Sequence, residues 1–329
     1  MERGSKASTR EDVARAAGVS RSTVSRVVNA DPAVTAELRF RVQRAIDRLG
    51  YRPDAAARAL ASGRTDVVHL VVFGTPAAFG GSPYHARVVA GVLTALDGTG
   101  AEMRLQVVPV TEAGRVLTEV TRRPGLGVIA VDVPADLAAE LTCSAERLVI
   151  LGRSSRAAWV DPDNITGART AVRHLYSAGR RRIAAIHGPQ QKSCAIGRRD
   201  GYNRAMTEIG LQPVSVGGGF CHEAGLHGTR HLLATRPDID AIFAACDATA
   251  IGALHALYEG GRRVPDDVAV VGFDDSVLAT SSTPPLSSVC QPVEEIAATA
   301  TRALLDRQIS PDWHRELPTE LVVRQSSAA

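Results

Sequence analysis

The sequence predicts an all-α head of the helix-turn-helix type joined to an α/β core of two parallel-sheet lobes. Three observations predict it: basic residues concentrated near the start of the chain, three short helical patterns in the same stretch, and apolar strands alternating with helices beyond residue 66. A chain of 329 residues exceeds one typical domain. We expect a head over 1–50, a short linking segment over 51–65 and a two-lobed domain over 66–329.

The positive charge of the chain is concentrated in its first fifth. Residues 1–65 hold 13 Lys and Arg against 7 Asp and Glu, whereas the remaining residues hold 25 against 28. A basic terminal module on a mildly acidic body points to a polyanionic partner for that module alone. A solvated basic face would give the same count, so charge alone leaves both interpretations open.

Three helices are predicted in the head. The first, REDVARAA, is capped by Thr9 and ended by Gly18. The second, RSTVSRVV, is capped by Ser20, and its valines share one face at i, i+3, i+4 spacing. The third covers about residues 35–49 and carries its own apolar stripe. A helix, a tight turn and a second short helix form the geometry that places the second helix in the major groove of DNA.

The second helix therefore carries the candidate base contacts. Arg21, Ser22 and Arg26 face away from the valine stripe. Arginine donates paired hydrogen bonds to guanine, which is the commonest specific base contact. Serine can form hydrogen bonds with several different bases. Neutral side chains contact phosphates, which fix the register without reading the sequence. The side chains expected in that role are Thr23, Ser25 and Asn29.

The rest of the chain alternates between apolar strands and helices. Seven segments are predicted as buried strands: VVHLVVF, EMRLQVVPV, GVIAVDV, RLVILG, RIAAIHG, AIFAACD and VAVVGFDD. The helical stretches between them include 85–98, 167–178, 198–209 and 248–260. This pattern indicates parallel sheets covered on both faces, with a ligand cleft at the carboxyl ends of the strands. The final RQSSAA is expected to be frayed.

At these residues the chain closely resembles the LacI/GalR family of bacterial transcription regulators. The head carries the resemblance in DVARAAGVSRSTVSRVVN and RVQRAIDRLGYRPDAAARALASGRT. The core carries it in DNITGARTAVRHLYSAGRRRIAAIHGP, RRDGYNRAM, CDATAIGALHAL and VPDDVAVVGFDD, so it covers essentially the whole chain. The resemblance implies a periplasmic-binding-protein-like core that binds an effector and dimerises, a hinge helix over 51–65, and repression of transcription.

The resemblance also implies particular contacts with double-stranded operator DNA. The hinge helix is expected to fold when a homodimer sits on a pseudopalindromic operator, and Leu60 matches the leucine that enters the minor groove. An Ala-rich helix this short is unstable alone, and inserting leucine kinks the duplex. The further positions assigned to DNA binding are Thr9, Ser20, Tyr51 and Ala57. No heptad helix follows the last predicted strand, so a dimer is expected instead of a tetramer.

For the small-molecule effector, the resemblance points to five positions between the lobes. They are Tyr84, Arg198, Phe220, Asp247 and Asp274. Carboxylates and a guanidinium hold neighbouring hydroxyls, and an aromatic face covers a ring, so a sugar or nucleoside is expected. Each residue also has a purely structural alternative, such as a turn cap or an internal ion pair. Cys246 and His85 depart from the family pattern, and their effect on the ligand is left open.

Composition and motifs argue against other classes of protein. The five cysteines, Cys143, Cys194, Cys221, Cys246 and Cys290, form no CxxC pair, and the chain has no apolar run of membrane-spanning length and no secretory signal. We therefore expect a cytoplasmic protein.

Enzyme and cofactor motifs are weak. GLGVIA precedes a predicted strand, whereas a dinucleotide-binding fingerprint follows a strand and opens a helix. HEAGLH has one residue too many for a zinc-protease motif, although His227 and His231 are four residues apart. We expect no enzyme activity, no cofactor and no metal. A periplasmic sugar-binding protein would need a signal peptide and would lack the basic head.

Overall fold

The computed structural model describes residues 9–28, 34–49, 51, 66–122, 125–140 and 147–328. The chain divides into two compact units, one up to Thr65 and the other from Asp66. Apart from Tyr51, the predicted hinge helix over 51–65 lies outside the described residues, as does Asn29 of the head. The domain boundaries therefore stay predictions.

The described part of the head contains three helices, and each begins where the sequence predicts. They are α1 (Arg10–Ala17), α2 (Arg21–Val28) and α3 (Ala36–Leu49). Gly18 ends α1 in the left-handed conformation, at φ 64°, which glycine adopts without strain. The Arg41 Nη2 atom of α3 donates a hydrogen bond to the Ala17 carbonyl at 2.8 Å and ties α3 to that turn. Val13, Val24 and Val42 are fully buried, one from each helix.

The second unit contains the two parallel-sheet lobes. Lobe 1 contains β1 (Val67–Phe73), β2 (Glu102–Val108), β3 (Gly127–Val131), β4 (Leu148–Leu151), β5 (Ala158–Pro162) and β11 (His314–Leu317). Lobe 2 contains β6 (Ile183–Ile186), β7 (Val214–Val216), β8 (Ala241–Ala244), β9 (Ala269–Asp274), β10 (Ser287–Cys290) and β12 (Glu320–Val322).

Helices cover both sheets. In chain order they are α4 (Pro76–Gly80), α5 (Pro83–Leu96), α6 (Ala113–Thr121), α7 (Ala135–Glu140), α8 (Asn164–Ser177), α9 (Ser193–Glu208), α10 (His222–Thr235), α11 (Asp247–Glu259), α12 (Val277–Ser281) and α13 (Val293–Leu305).

The sheet orders are those of two parallel, doubly wound lobes. Lobe 1 runs β11-β5-β4-β3-β1-β2 and lobe 2 runs β12-β10-β9-β8-β6-β7, and β12 pairs antiparallel with β10. The chain passes between the lobes three times, after β5, after β10 and after β11. All seven predicted strands are present, but the prediction that all are buried was wrong for β2, which is exposed or half-buried along most of its length because it forms the edge of the lobe 1 sheet. Strands β1, β3, β4, β6 and β8 are buried along their whole length, which explains their continuous apolar sequences.

The end of the chain is folded into lobe 2, so the expectation of a frayed tail was wrong. Ser326 and Ser327 are buried. The Ser326 hydroxyl donates to the Val270 carbonyl at 2.6 Å, and the Val270 amide donates to the Ser326 carbonyl at 2.9 Å. The Ser327 hydroxyl lies 2.7 Å from His174 Nε2. A polar tail is ordered here because strand β9 and helix α8 supply partners for its hydroxyl groups.

Helices α10 and α11 pack with their backbones in contact. A Cβ atom on Gly225 would lie 1.9 Å from the Thr249 carbonyl oxygen, and one on Gly252 would lie 2.0 Å from the His222 carbonyl oxygen. Because no side chain fits at either position, the distance between these helices depends on both glycines.

The substitution Gly252→Ala is expected to lower the free energy of unfolding by about 1–3 kcal/mol, because the helices have to move apart. Gly114→Ala is the matched control, since its added methyl would only touch Leu137 Cδ1 at 3.8 Å. That change should raise stability by up to about 1 kcal/mol through helix propensity. Urea denaturation followed by circular dichroism measures both, and equal stability of Gly252→Ala and the unmodified chain would contradict the prediction.

Candidate functional site

The exposed face of α2 presents the predicted base-contacting side chains. Arg21, Ser22 and Arg26 are exposed, while Val24 and Val27 point into the core of the head. The Ser20 hydroxyl accepts a hydrogen bond from the Thr23 amide at 3.1 Å, which caps the start of α2.

Arg21 has a partner within the head. Its Nη1 atom lies 3.0 Å from Glu11 Oε1, with the two side chains 68% and 52% exposed. Such a pair is worth little in water. A phosphate or base can therefore replace Glu11 as the partner of Arg21.

The other predicted DNA contacts have local roles. Thr9 caps α1 through a reciprocal arrangement with Asp12, in which the Asp12 amide donates to Thr9 Oγ1 at 3.3 Å and the Thr9 amide donates to Asp12 Oδ2 at 3.0 Å. Tyr51 packs into the core of the head and is 8% exposed. Ser25 is partly exposed on α2. Contact of these residues with DNA stays a prediction, and Asn29, Ala57 and Leu60 lie outside the described residues.

A cavity of about 450 Å³ lies between the two lobes at the carboxyl ends of their strands. Four of the five predicted effector positions line it: Tyr84, Arg198, Phe220 and Asp274. Its other charged side chains are Asp132, directly after β3, Asp161, at the end of β5, and Lys192, directly before α9. The cleft predicted from the strand pattern is therefore present at the predicted edge of the sheets.

Arg198 is the central cation of the cavity and is almost fully buried. Its Nε atom donates to Asn164 Oδ1 at 2.9 Å, and Nη1 donates to the Ala245 carbonyl at 2.6 Å. The Asp274 Oδ1 atom lies 3.4 Å from Nη1 and provides the opposite charge. The guanidinium also stacks over Phe273, 3.7 Å from the ring centre. Held from several sides, this group can offer its free N–H bonds to a ligand in one fixed orientation.

Asp274 adopts an unusual backbone conformation at the end of β9. Its φ is 115°, and that of Asp275 is 48°, both uncommon for residues other than glycine. Gln291 Nε2 donates to Asp274 Oδ1 at 2.5 Å, and Arg87 Nη1 donates to the Asp274 carbonyl at 2.8 Å. Burial raises the pKa of the Asp274 carboxyl, against the lowering effect of Arg198. Strained backbone held by several hydrogen bonds is typical of ligand sites.

Asp247 is the predicted effector residue that the structure does not bring to the cavity surface. Its carboxylate accepts hydrogen bonds from the Ser276 amide at 2.7 Å, from the Ser276 hydroxyl at 2.8 Å and from the Ser288 hydroxyl at 2.5 Å. Burial and the nearby charge of Asp274 raise its pKa. Asp247 therefore positions Ser276, which does line the cavity, and direct contact of Asp247 with an effector stays a prediction.

The aromatic wall of the cavity is fixed by close packing. A Cβ atom on Gly188 would lie 2.3 Å from Phe220 Cε1, so the Phe220 ring lies directly against the backbone there. Burial raises the pKa of Tyr84 well above its usual value, which keeps its phenol neutral. Cys246, one of the departures from the family pattern, caps α11 by accepting the Thr249 amide at 3.4 Å, and burial raises its pKa to about 12. Its thiol thus caps the helix, and because Cys246 also lines the cavity its effect on the ligand stays open.

Sequence reasoning missed three charged side chains of the cavity: Asp132, Asp161 and Lys192. Asp132 lies near the end of the predicted strand GVIAVDV, whereas the observed strand ends at Val131 and leaves Asp132 at the edge of the sheet where ligands bind. Asp161 belongs to AWVDP, whose mixed composition does not predict a strand. Lys192 lies in a polar connection with no local signal. The carboxyl group of Asp161 accepts from Asn164 Nδ2 at 3.0 Å, and burial raises its pKa to about 7.

Within the described ranges, no helix combines the length and apolar character needed to cross a membrane. No group of three or more His, Cys, Asp or Glu side chains among the described residues has an arrangement that could hold a metal ion. Of the histidines considered for a metal site, His222 lies at the start of α10 with its Nε2 atom 3.3 Å from His255 Nδ1.

Comparisons with known proteins assign both parts of the chain. The family described as "Bacterial regulatory proteins, lacI family" matches residues 9–54, and "Periplasmic binding protein-like domain" matches residues 172–327. The HTH-type transcriptional regulator CelR of Thermobifida fusca is 38% identical, covering 97% of this chain and 98% of CelR. The ribose operon repressor of Escherichia coli K12 is 30% identical, covering 94% of this chain and 95% of the repressor.

Solved structures agree with this assignment. A complex of the transcriptional regulator CelR with cellobiose is 36% identical with a TM-score of 0.74, covering 97% of this chain and 99% of that chain. A lac repressor dimer bound to operator and the anti-inducer ONPF is 28% identical with a TM-score of 0.79, covering 98% of this chain and 100% of that chain. Because relatives at 30% identity or more match nearly the whole length, and the helical head and two-lobed core agree with them, the chain belongs to the lacI family of bacterial regulatory proteins.

Proposed function

We propose that this chain is a cytoplasmic repressor, without enzyme activity, that binds a pseudopalindromic operator as a homodimer and responds to a neutral saccharide held between its lobes. The observation that carries the proposal is the buried Arg198, which lies among carboxylates and the Phe220 ring in a chain whose head exposes Arg21 and Arg26 on α2. The head supplies sequence recognition and the cavity supplies control.

The charges of the cavity favour a neutral ligand. Three carboxylates, Asp132, Asp161 and Asp274, and two strong cations, Lys192 and Arg198, are among its described lining residues. Lys192 Nζ lies 2.6 Å from Asp132 Oδ1, and Arg198 is paired with Asp274. Both cations are therefore already compensated by carboxylates, and a phosphate group would meet no uncompensated positive charge among the described lining residues. Hydroxyl groups, which donate to carboxylates and accept from cations, suit this lining.

The size of the cavity and one relative support a saccharide. The cavity volume of about 450 Å³ is typical of small-molecule pockets, which range from about 300 to about 1,000 Å³. The CelR structure was solved with cellobiose, a neutral disaccharide. The Phe220 ring offers the flat apolar face that stacks on a sugar ring. We therefore place a sugar of one or two rings against Phe220, with its hydroxyl groups on Arg198, Asp161 and Asp274.

The head and the relatives support the proposed operator and the proposed dimer. A lac repressor structure contains a dimer on its operator, and a two-fold symmetric protein reads a two-fold symmetric site. Each α2 enters the major groove of one half-site, and the segment carrying Leu60 enters the minor groove between them. Coupling between effector and operator is expected at about 1–3 kcal/mol, which is a 5–150-fold change in operator affinity.

A thermal-shift screen tests the effector class. At 100 times its dissociation constant a bound saccharide adds about 2.7 kcal/mol of stability, so cellobiose or another neutral sugar should raise the melting temperature. Arg198→Met should abolish the shift, because the central donor is lost. Arg199→Met is the control, since this neighbouring arginine of α9 is 37% exposed and lies outside the cavity lining. If only nucleosides raise the melting temperature, the proposed effector class changes from saccharide to nucleoside. If neither class raises it, the proposal is contradicted.

Arg21→Ala tests direct readout of the operator. If Arg21 reads a base, its loss should cost about 1–3 kcal/mol and relax selectivity at one symmetric pair of operator positions. Arg15→Ala removes the same charge from α1, at a side chain that is 80% exposed, and should leave selectivity unchanged. Mobility-shift titrations against a panel of operator variants measure both. A uniform loss of affinity across the panel would assign Arg21 to phosphate.

Effector affinity should rise with pH because of Asp161. Burial raises the pKa of this carboxyl to about 7, so it is largely protonated at about pH 6 and accepts fewer hydrogen bonds from sugar hydroxyls. Binding favours the carboxylate and releases a proton, so affinity should increase by up to about tenfold between about pH 6 and about pH 8. Asp161→Asn should remove this dependence, as measured by isothermal titration calorimetry with cellobiose. The same slope in both proteins would refute the assignment.

A further inference from the structure

One cluster in the cavity is formed by His85, Asp132 and Lys192, and it joins the two lobes. Asp132 follows β3 and His85 lies in the first turn of α5, both in lobe 1, whereas Lys192 precedes α9 in lobe 2. The His85 Nε2–H donates to Asp132 Oδ2 at 2.9 Å. Lys192 Nζ donates to Asp132 Oδ1 at 2.6 Å. One carboxylate thus accepts a hydrogen bond from each of its two neighbours and compensates the charge of Lys192.

The cluster is shielded from water. His85 is buried and stacks on Phe79 with ring centres 5.2 Å apart, and its Nδ1 atom lies 3.3 Å from the Phe79 carbonyl oxygen. Asp132 keeps 16% of its side chain exposed and Lys192 27%. Burial acts to raise the pKa of Asp132, but the hydrogen bond from His85 and the charge of Lys192 hold it below its usual value. The carboxylate is therefore charged, and its pairing is little screened by solvent.

The same two donors are those that a phosphate would use. A lysine ammonium and an imidazole N–H pointing to one place make a good anion site, provided that no carboxylate occupies that place. With Asp132 present, an anion has to displace it and leave it unpaired near its own charge, which is strongly unfavourable. Arg198 offers no alternative, because Asp274 compensates it. Selectivity by a built-in repulsive group is a common device in proteins.

We infer that Asp132 is the residue by which this cavity rejects anionic ligands such as phosphorylated sugars. Its carboxylate pairs with Lys192 and His85 and repels a second negative charge. The inference rests on the proposed function, which identifies this site as the effector cavity. It adds a specificity-determining residue and explains why a cavity with two strong cations takes neutral sugars.

Asp132→Asn is the direct test, and the backbone tolerates it. Asp132 has φ 61°, a conformation in which asparagine is among the most favourable residues. The amide keeps the size of the side chain but frees the charge of Lys192. Glucose 6-phosphate binding, measured by isothermal titration calorimetry in a buffer without phosphate or sulfate, should tighten about ten- to a hundredfold relative to the unmodified chain. Asp132→Gly, which also suits this φ, is the second variant.

Two further variants make the result specific. Asp136→Asn removes the same charge from an exposed position of α7, outside the cavity lining, and should leave glucose 6-phosphate binding unchanged. Adding Lys192→Met to Asp132→Asn should reverse the gain. The inference is overturned if neither Asp132 variant gains affinity, if Asp136→Asn gains as much, or if the gain survives Lys192→Met.

The outcome can be separated from that of the proposed function. Neutral sugars are titrated into the unmodified chain, and their failure to bind would count against the saccharide proposal alone. A gain in affinity for glucose 6-phosphate in the Asp132→Asn variant supports the inference whether or not a neutral sugar binds.

Discussion

A guanidinium buried between two lobes is stable only if its charge and its N–H groups have partners, because an unpaired buried charge costs several kcal/mol. Arg198 meets this demand with Asn164, the Ala245 carbonyl and Asp274. Asn164 begins α8 directly after the first passage between the lobes, and Gln291, which binds Asp274, lies at the second. One direct partner of Arg198, Asn164, thus lies at the first of the three connections, and a second partner, Asp274, is held by Gln291 from the second connection.

The composition of the chain supports the same arrangement. With aromatics at only 4% of residues, the cores are built from small aliphatic side chains, and helices can approach closely. Helix α9 lies so near α8 that a Cβ atom on Gly201 would be 2.3 Å from the Ile165 carbonyl oxygen. This contact brings Arg198 within hydrogen-bonding distance of Asn164. Close packing inside lobe 2 is therefore a condition for the binding geometry, since a wider helix spacing would separate the two side chains.

The fold could be predicted from sequence farther than the cavity could. Continuous apolar strands such as VVHLVVF have one stable environment, a sheet buried on both faces, so seven strands were found. Short polar strands such as β11 and β12 form because a neighbour is present, which local sequence does not encode. Asp247 and Asp274 both lie where a strand ends, yet one turns inward to Ser276 and Ser288 while the other faces the cavity. Side-chain direction at such a position depends on tertiary partners that spacing cannot reveal.

Arg87 joins lobe 1 to residues of lobe 2 that line the cavity. This side chain extends from α5 in lobe 1 and donates to the carbonyl oxygens of Asp274, at 2.8 Å, and Gln291, at 3.2 Å. It also forms a bidentate pair with Glu294 at the start of α13, at 2.7 and 2.8 Å. The side chains of Asp274 and Gln291 meet inside the cavity. A change in the angle between the lobes has to stretch the hydrogen bond from Arg87 to the Asp274 carbonyl, and a ligand that moves Asp274 moves this acceptor. The lining of the cavity and the hydrogen bonds between the lobes therefore share Asp274 and Gln291, and a shared set of contacts of this kind is what coupling between ligand binding and lobe orientation requires.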